Sequence, residues 1–400
     1  MTGAGRPMAR RRRAPDGRRP VALAIAAVVV VGVTVLAALH WPAGSDLATL
    51  SSGRPTNGAS ASGVPSPLAS PVGDPVASGS PTASLNPPVS NPPAGAPTAN
   101  GGRFGLGLLI ADRGNGRLLI VDDAKRILWQ FPAVGALPKG QAFAADDAFL
   151  APDGRTIVAN DEAHQVIDRI DIATGRVVWQ YGHYNKLGAA NGYLHTPDDA
   201  YPLANGDIVV ADIRNCRILE INPSKTVVRH WGRAGSCGHH PPTSFNNPNG
   251  DTPLPDGGLL ITEIGGSRVV RLGPTGKVVF DIHVPVSYPS DAQLTPDGNV
   301  LIVDYSNPGA VLEVSPQGHV LWRYGPKTGP GRLNHPSLAV MLPDGTIALN
   351  DDFRSRVIVV DPTTKRIVWQ YGTTDVGGRS AGHLFDPDGI DLIPAGTRLN

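Results

Sequence analysis

Cysteine is scarce in this chain: Cys216 and Cys237 are the only two in 400 residues. No contiguous calcium-loop motif is present, and His195, His335 and His383 do not stand at the short spacing of metal ligands. Long insertions of the kind that dedicated enzymes add between repeats are also missing. A basic excess is absent where most of the chain lies. Residues 103–400 carry 27 Lys and Arg against 31 Asp and Glu, a balance that argues against a nucleic-acid surface. Charge fails altogether over residues 21–39 and nearly so over 42–102.

What is present instead is repetition. Residues 335–372 read as four short strands, SLAVML, TIALN, VIVVD and RIVWQYG, separated by PDG, DDFRSR and DPTTK. Each run is apolar and rich in β-branched residues, and each is bounded by Gly, Pro, Asp or Asn. Such a meander is one blade of a β-propeller. First-strand copies begin at Ala144, Thr196, Asn247, Tyr288, His335 and Asp386, with a period of 41 to 52 residues. Residues 105–131 supply strands two to four without a first strand, and the copy at Asp386 is a first strand with nothing after it. The two ends together make one blade. The expectation is an all-β, six-bladed propeller of four-stranded antiparallel blades over residues 103–400, closed by a C-terminal strand.

Three segments precede it. Residues 1–20 carry seven arginines against one acid, Asp16. Residues 21–39 are nineteen apolar residues, roughly 28 Å as a helix, close to the hydrocarbon thickness of a bilayer. Arginines before the span and none close behind it predict a signal anchor, with a cytoplasmic N-terminus and an extracytoplasmic propeller; a cleaved signal peptide is the rival reading. Residues 42–102, rich in Pro, Ser, Ala and Gly, read as a disordered tether.

Within the blades, Trp129, Trp179, Trp322 and Trp369 recur on the fourth strands, which suggests packing between blades. An acid followed five residues later by Arg recurs after strand two: Asp112 with Arg117, Asp212 with Arg217, Glu263 with Arg268 and Asp351 with Arg356. These are expected to pair and pin the loop. ADRGNGRLLIVD and ADIRNCRILEIN resemble NHL repeats. IDIATGRVVWQYG resembles the repeat of the pyrroloquinoline-quinone-like propellers, and HTPDDAYPLANGDIVVADIRNCRILEI is similar to arylsulfotransferase-type propellers.

The blade-to-blade connections and strand two–three loops share one face, where a ligand or protein partner is expected to bind. Six short polar residues start the inner strands: Asp146, Asp198, Asn249, Ser290, Ser337 and Asp388. They read either as strand caps or as a polar ring at the channel mouth; Asp147, Asp199 and Asp291 add charge one residue on, and Tyr288 stands beside them. Such a ring could hold a divalent cation, Ca²⁺ by its oxygens. The arylsulfotransferase resemblance implies a His nucleophile with Arg support, which falls on His195 with Arg214 and on His335 with Arg354. The NHL resemblance implies a zinc-dependent lyase, with His195, His335 and His383 as ligands. A quinone dehydrogenase fits worse, because six blades are expected and no vicinal cysteine pair is present. Cys216 and Cys237 lie in loops on the same face, so export predicts a disulfide between them.

Overall fold

In the computed structural model, residues 102–399 are described. The segments 1–20, 21–39 and, but for Gly102, 42–102 lie outside the described residues. Among the described residues no helix is long and apolar enough to cross a membrane.

Among the described residues, twenty-four strands form six four-stranded sheets. The first is built from both chain ends: β24 (Pro387–Ile393) lies beside β1 (Gly107–Asp112), followed outward by β2 (Arg117–Val121) and β3 (Ile127–Phe131). The second holds β4 (Ala148–Leu150), β5 (Thr156–Asp161), β6 (Val166–Asp171) and β7 (Arg176–Gly182). The third holds β8 (Pro197–Pro202) to β11 (Val227–Gly232), and the fourth β12 (Pro248–Pro253) to β15 (Val278–His283). The fifth runs from β16 (Pro289–Leu294) to β19 (Val320–Tyr324), and the sixth from β20 (Ala339–Met341) to β23 (Arg366–Gly372). The all-β, six-bladed architecture read from the repeats is the architecture found.

The middle strands are apolar at nearly every position because both faces of each sheet are covered. In β1, Leu108 and Ile110 pack against Ala348, Val357 and Val359 of the sixth blade. Leu109 and Ala111 on the other face pack against Ile157 and Ala159 of the second. Six such apolar clusters, one between each pair of neighbouring blades, make up the core. Fourth-strand tryptophans link blades at the rim. Trp129 Nε1 donates to Ile172 O at 3.0 Å, Trp179 to Pro223 O at 2.9 Å and Trp322 to Pro362 O at 2.8 Å. Trp369 donates to Asp123 O at 3.0 Å and carries the linkage across the junction between chain ends.

A second six-fold device sets the loop face. The acid ending each second strand (Asp112, Asp161, Asp212, Glu263, Asp304 and Asp351) is buried. Each accepts the backbone N–H of the connection entering its inner strand, from Phe385, Ala144, His195, Asn246, Ser287 and Asn334 in turn, at 2.7–3.0 Å. A buried carboxylate with a backbone donor and a side-chain partner is a rigid anchor. The Arg five residues on supplies that partner in three blades: Arg117 at 2.5 Å, Arg217 at 2.7 Å and Arg356 at 2.8 Å. The expected fourth pair, Glu263 with Arg268, does not form. Arg268 binds Asp281 at 2.8 Å, and His239 places its Nδ1 on Glu263 and its Nε2 on Asp281 at 2.8 Å. The connection bearing His239 is held by a disulfide between Cys216 and Cys237, whose Cα atoms are 5.2 Å apart. That brings an imidazole closer to Glu263 than Arg268 of its own blade comes. In the second blade His164 fills the role, with Nδ1 2.7 Å from Asp161.

Candidate functional site

The inner strands run around the axis from the loop face. Four of them are bulged: pairing with the second strand shifts between Asp198 and Tyr201, between Pro248 and Asp251, between Pro289 and Ala292, and between Pro387 and Ile390. A bulge removes the strict alternation of strand side chains, so consecutive residues can both turn inward. Asp199 takes a left-handed backbone, φ 46°, at the first of these bulges.

The outcome is a buried polar ring. Asp146, Asp198, Asn249, Ser290, Ser337 and Asp388 are all at most 7% exposed. Arg113, from the turn after β1, bridges them: its Nη1 binds Asp146 and, at 2.6 Å, Asp388, while Nη2 binds Glu162 at 2.8 Å. Burial works against charge on Asp388, but the Arg113 guanidinium outweighs it and holds that carboxyl below the usual range. Asn249 donates to Asp198 and to Ser290 O at 3.1 Å, and accepts from Tyr288 Oη at 3.1 Å. Asn350 donates to Ser337, Asp352 and the Asp388 carbonyl.

Beneath this ring lie further acids. Asp147, Asp199, Asp251 and Asp291 are 5%, 3%, 0% and 2% exposed. Burial, then mutual repulsion, holds the carboxyls of Asp147, Asp199 and Asp251 well above the usual range. Asp291 is pushed up to about 7 by burial, against hydrogen bonds from Gln293 and Thr252. Asp198 is also raised to about 7, by burial and by the repulsion of Glu162. Among the described residues, Asp146, Asp147 and Asp198 form the group whose ligand atoms all lie within 4.8 Å of one another.

An aromatic row stands on the loop face at the same end. Tyr305, after β17 (Val300–Asp304), has ring centroids 5.3 Å from Tyr288, 4.8 Å from His335 and 6.4 Å from Phe353. Burial raises the Tyr305 hydroxyl, as do the charges of Asp352, Asp388 and Asp386, so this ring faces the acids. Burial lowers Arg214, while Tyr288 and Glu162 lie within its electrostatic reach. The mouth therefore gathers Arg113, Glu162, Arg214, Tyr288, Tyr305 and Phe353 above buried carboxylates. Aligning the residue after each second-strand acid (Arg113, Glu162, Ile213, Ile264, Tyr305 and Asp352) is the signal that would have found the first, second and fifth of these.

The sequence-predicted histidines are not brought together. His195 stands two residues before Pro197, whereas His335 stands one before Pro336. Asn334 is the structural equivalent of His195, because Asp351 takes its N–H as Asp212 takes that of His195. By the same shift Phe353, not Arg354, matches Arg214: their N–H groups donate to Asn334 O at 3.2 Å and His195 O at 3.1 Å. Arg354 turns away to Asp375, at 2.8 and 2.9 Å, and to the Arg332 carbonyl. The two His–Arg pairs of equal spacing thus occupy different columns of their blades. His335 packs against Tyr305 and Phe353 with Nδ1 2.8 Å from Asn334 Oδ1. His383 lies on the last connection, with Nδ1 3.1 Å from Ser380 Oγ and its carbonyl on Arg117. The three do not make a ligand set; the group close enough to share an ion is acidic.

Residues 229–388 match the PQQ-type propeller family described as outer membrane protein assembly factor BamB. A solved protein of unknown function from Bacteroides caccae has a TM-score of 0.51 at 16% identity, covering 71% of this chain and 97% of its own. The nidogen/laminin complex gives 0.50 at 14% identity, with the same shares of 71% and 97%. A streptogramin B lyase gives 0.43 at 16% identity over 57% of this chain and 68% of its own. At these identities the likeness is one of fold. No curated protein matches the chain.

Proposed function

We propose that this propeller is a binding module outside the cytoplasm, held at the membrane by residues 21–39, which takes a cationic organic ligand at its axial mouth. The observation that carries the reading is the aromatic row of Tyr288, Tyr305 and Phe353 beside an acid-rich ring. The carboxylates of Glu162, Asp146, Asp198, Asp352 and Asp388 outnumber the guanidinium groups of Arg113 and Arg214 at this end. Burial raises Asp146, Asp198 and Asp352, so a cation arriving beside the aromatic faces would draw out their charge, which favours a ligand with an apolar body and a positive centre. Location outside the cytoplasm is supported by the arginine bias before residues 21–39 and by the Cys216–Cys237 disulfide.

The sulfuryl-transfer reading draws less support. A sulfuryl-transfer site wants a His ring and an Arg converging on one atom. His195 and Arg214 meet through backbone atoms, and Arg354 is committed to Asp375. The test is calorimetric titration of the full chain with benzyltrimethylammonium, and with benzoate and p-nitrophenyl sulfate for contrast. Binding of the ammonium probe that Tyr305→Leu weakens at least tenfold supports the reading. Preference for the anions, or release of p-nitrophenol to an acceptor, sinks it. A C-terminal reporter active only in the cytoplasm would overturn the location.

A further inference from the structure

The acids beneath the mouth are more than the ligand reading requires. Asp147, Asp199 and Asp251 lie below the ring, and Arg113 is committed to Asp146, Asp388 and Glu162. A side-chain oxygen of Asp199 and both of Asp251 are buried without a hydrogen-bond partner. Buried native polar atoms are rarely left so, and carboxylates least of all. Both carboxyls lie within reach of the other axial charges: Asp199 is repelled by Asp147, Asp291, Asp198 and Asp251, and Asp251 by Asp198 and Asp291.

We infer that the axis holds a calcium ion bound by Asp146, Asp147 and Asp198, with the unpartnered carboxylates of Asp199 and Asp251 beside them adding negative charge around it. Oxygen ligands sit about 2.4 Å from Ca²⁺, so any two on one ion lie no more than about 4.8 Å apart. Asp146, Asp147 and Asp198 meet that limit. Glycines hold the backbone close around the acids. A Cβ at Gly389 would lie 2.5 Å from Asp147 Oδ1, and one at Gly250 would lie 3.2 Å from Asp199 Oδ2. The donors are hard oxygens with no sulfur or imidazole among them, which selects against zinc. Three acids from blades two and three, with Asp199 of blade three and Asp251 of blade four beside them, suit the larger and less regular surroundings of calcium over an octahedral magnesium shell. The ion would tie together blades two and three at the axis. The inference stands apart from the mouth ligand, because Tyr305 and Phe353 take no part in it.

The experiment uses the full chain in detergent, stripped with EGTA and dialysed. Calorimetric titration with CaCl₂ is expected to give one site per chain. Tb³⁺ added to the stripped protein is expected to emit on tyrosine excitation, since Tyr201 lies within the field of Asp291 and Asp199. Asp147→Asn and Asp251→Asn should each weaken both signals at least tenfold, and Asp375→Asn, at an exposed position, should change neither. Folding is read independently. In EGTA, Asp251→Asn should melt higher than the native chain, because a buried carboxyl without a counter-ion has been removed. Added calcium should raise the melting temperature of the native chain and not that of the variant. Absence of saturable calcium binding, unchanged affinity in both variants, or equal binding of magnesium would overturn the inference. A chain that binds calcium but not benzyltrimethylammonium leaves the ion site standing and removes only the mouth ligand.

Discussion

Asp168 offers a direct test of how these blades handle buried charge. It lies in β6 (Val166–Asp171), 3% exposed, and its side-chain partner is an uncharged amide, Gln180 Nε2 at 2.8 Å. Burial outweighs that bond, and Asp161 adds repulsion, so the carboxyl is pushed up from 3.8 to about 7. Below pH about 4 it is protonated in the folded and unfolded chains alike and contributes no pH dependence. Between about 4 and 7 the folded chain keeps a proton that the unfolded chain has lost. Stability therefore falls as pH rises through that window and stays low above it. A displacement from 3.8 to about 7 corresponds to roughly 4 kcal/mol at about 1.4 kcal/mol for each tenfold change. Asp168→Asn keeps the shape and the acceptor for Gln180 but cannot ionise. Its stability should match the native chain at pH 4 and exceed it by about 4 kcal/mol at pH 8. In a domain of this size that is a rise in Tm of about 8 °C. Calorimetry of both proteins at the two pH values measures it. An Asn variant with the same offset at both, or less stable at pH 8, would refute the burial argument.

Deleting residues 383–400 removes β24, strips Asp388 from Arg113 and opens the edge of β1; aggregation or rapid proteolysis is expected, and a soluble product with an unchanged melt would contradict ring closure. Cys216→Ser with Cys237→Ser opens a cross-link of sequence separation 21, which should cost about 3 kcal/mol on the chain-entropy estimate; reductant should shift the native melt by the same amount and leave the variant unmoved. His239→Ala leaves Glu263, 0% exposed, without its imidazole partner, a loss of about 2 kcal/mol given the partly open histidine. His239→Arg should restore most of it in urea unfolding, since arginine fills that role beside Asp112, Asp212 and Asp351.

Repetition made the architecture legible. A blade that must cover both faces needs apolar residues at every middle-strand position. Leu108 to Ala111 and their counterparts show it without alternation, and the orphan strand at Asp386 has only the incomplete blade at Gly105 to complete. The tryptophans and the polar column from Asp146 to Asp388 were visible for the same reason, since equal position in a repeat means equal place around the axis. What escaped the sequence was which side chains converge. Equal spacing paired His195–Arg214 with His335–Arg354, but a one-residue difference in where each connection meets its proline put them in different columns. Glu263 drew its partner from a disulfide-fixed connection 24 residues upstream and not from Arg268, because a loop entering over the strand end brings His239 nearer. Asp251 and Asp199 join the axial acids because bulges cancel the alternation that a strand pattern presumes. Local pattern fixes secondary structure and blade count. Loop paths, bulges and the meeting of residues 275 positions apart, as in Arg113 and Asp388, are set by ring closure, which no single repeat contains.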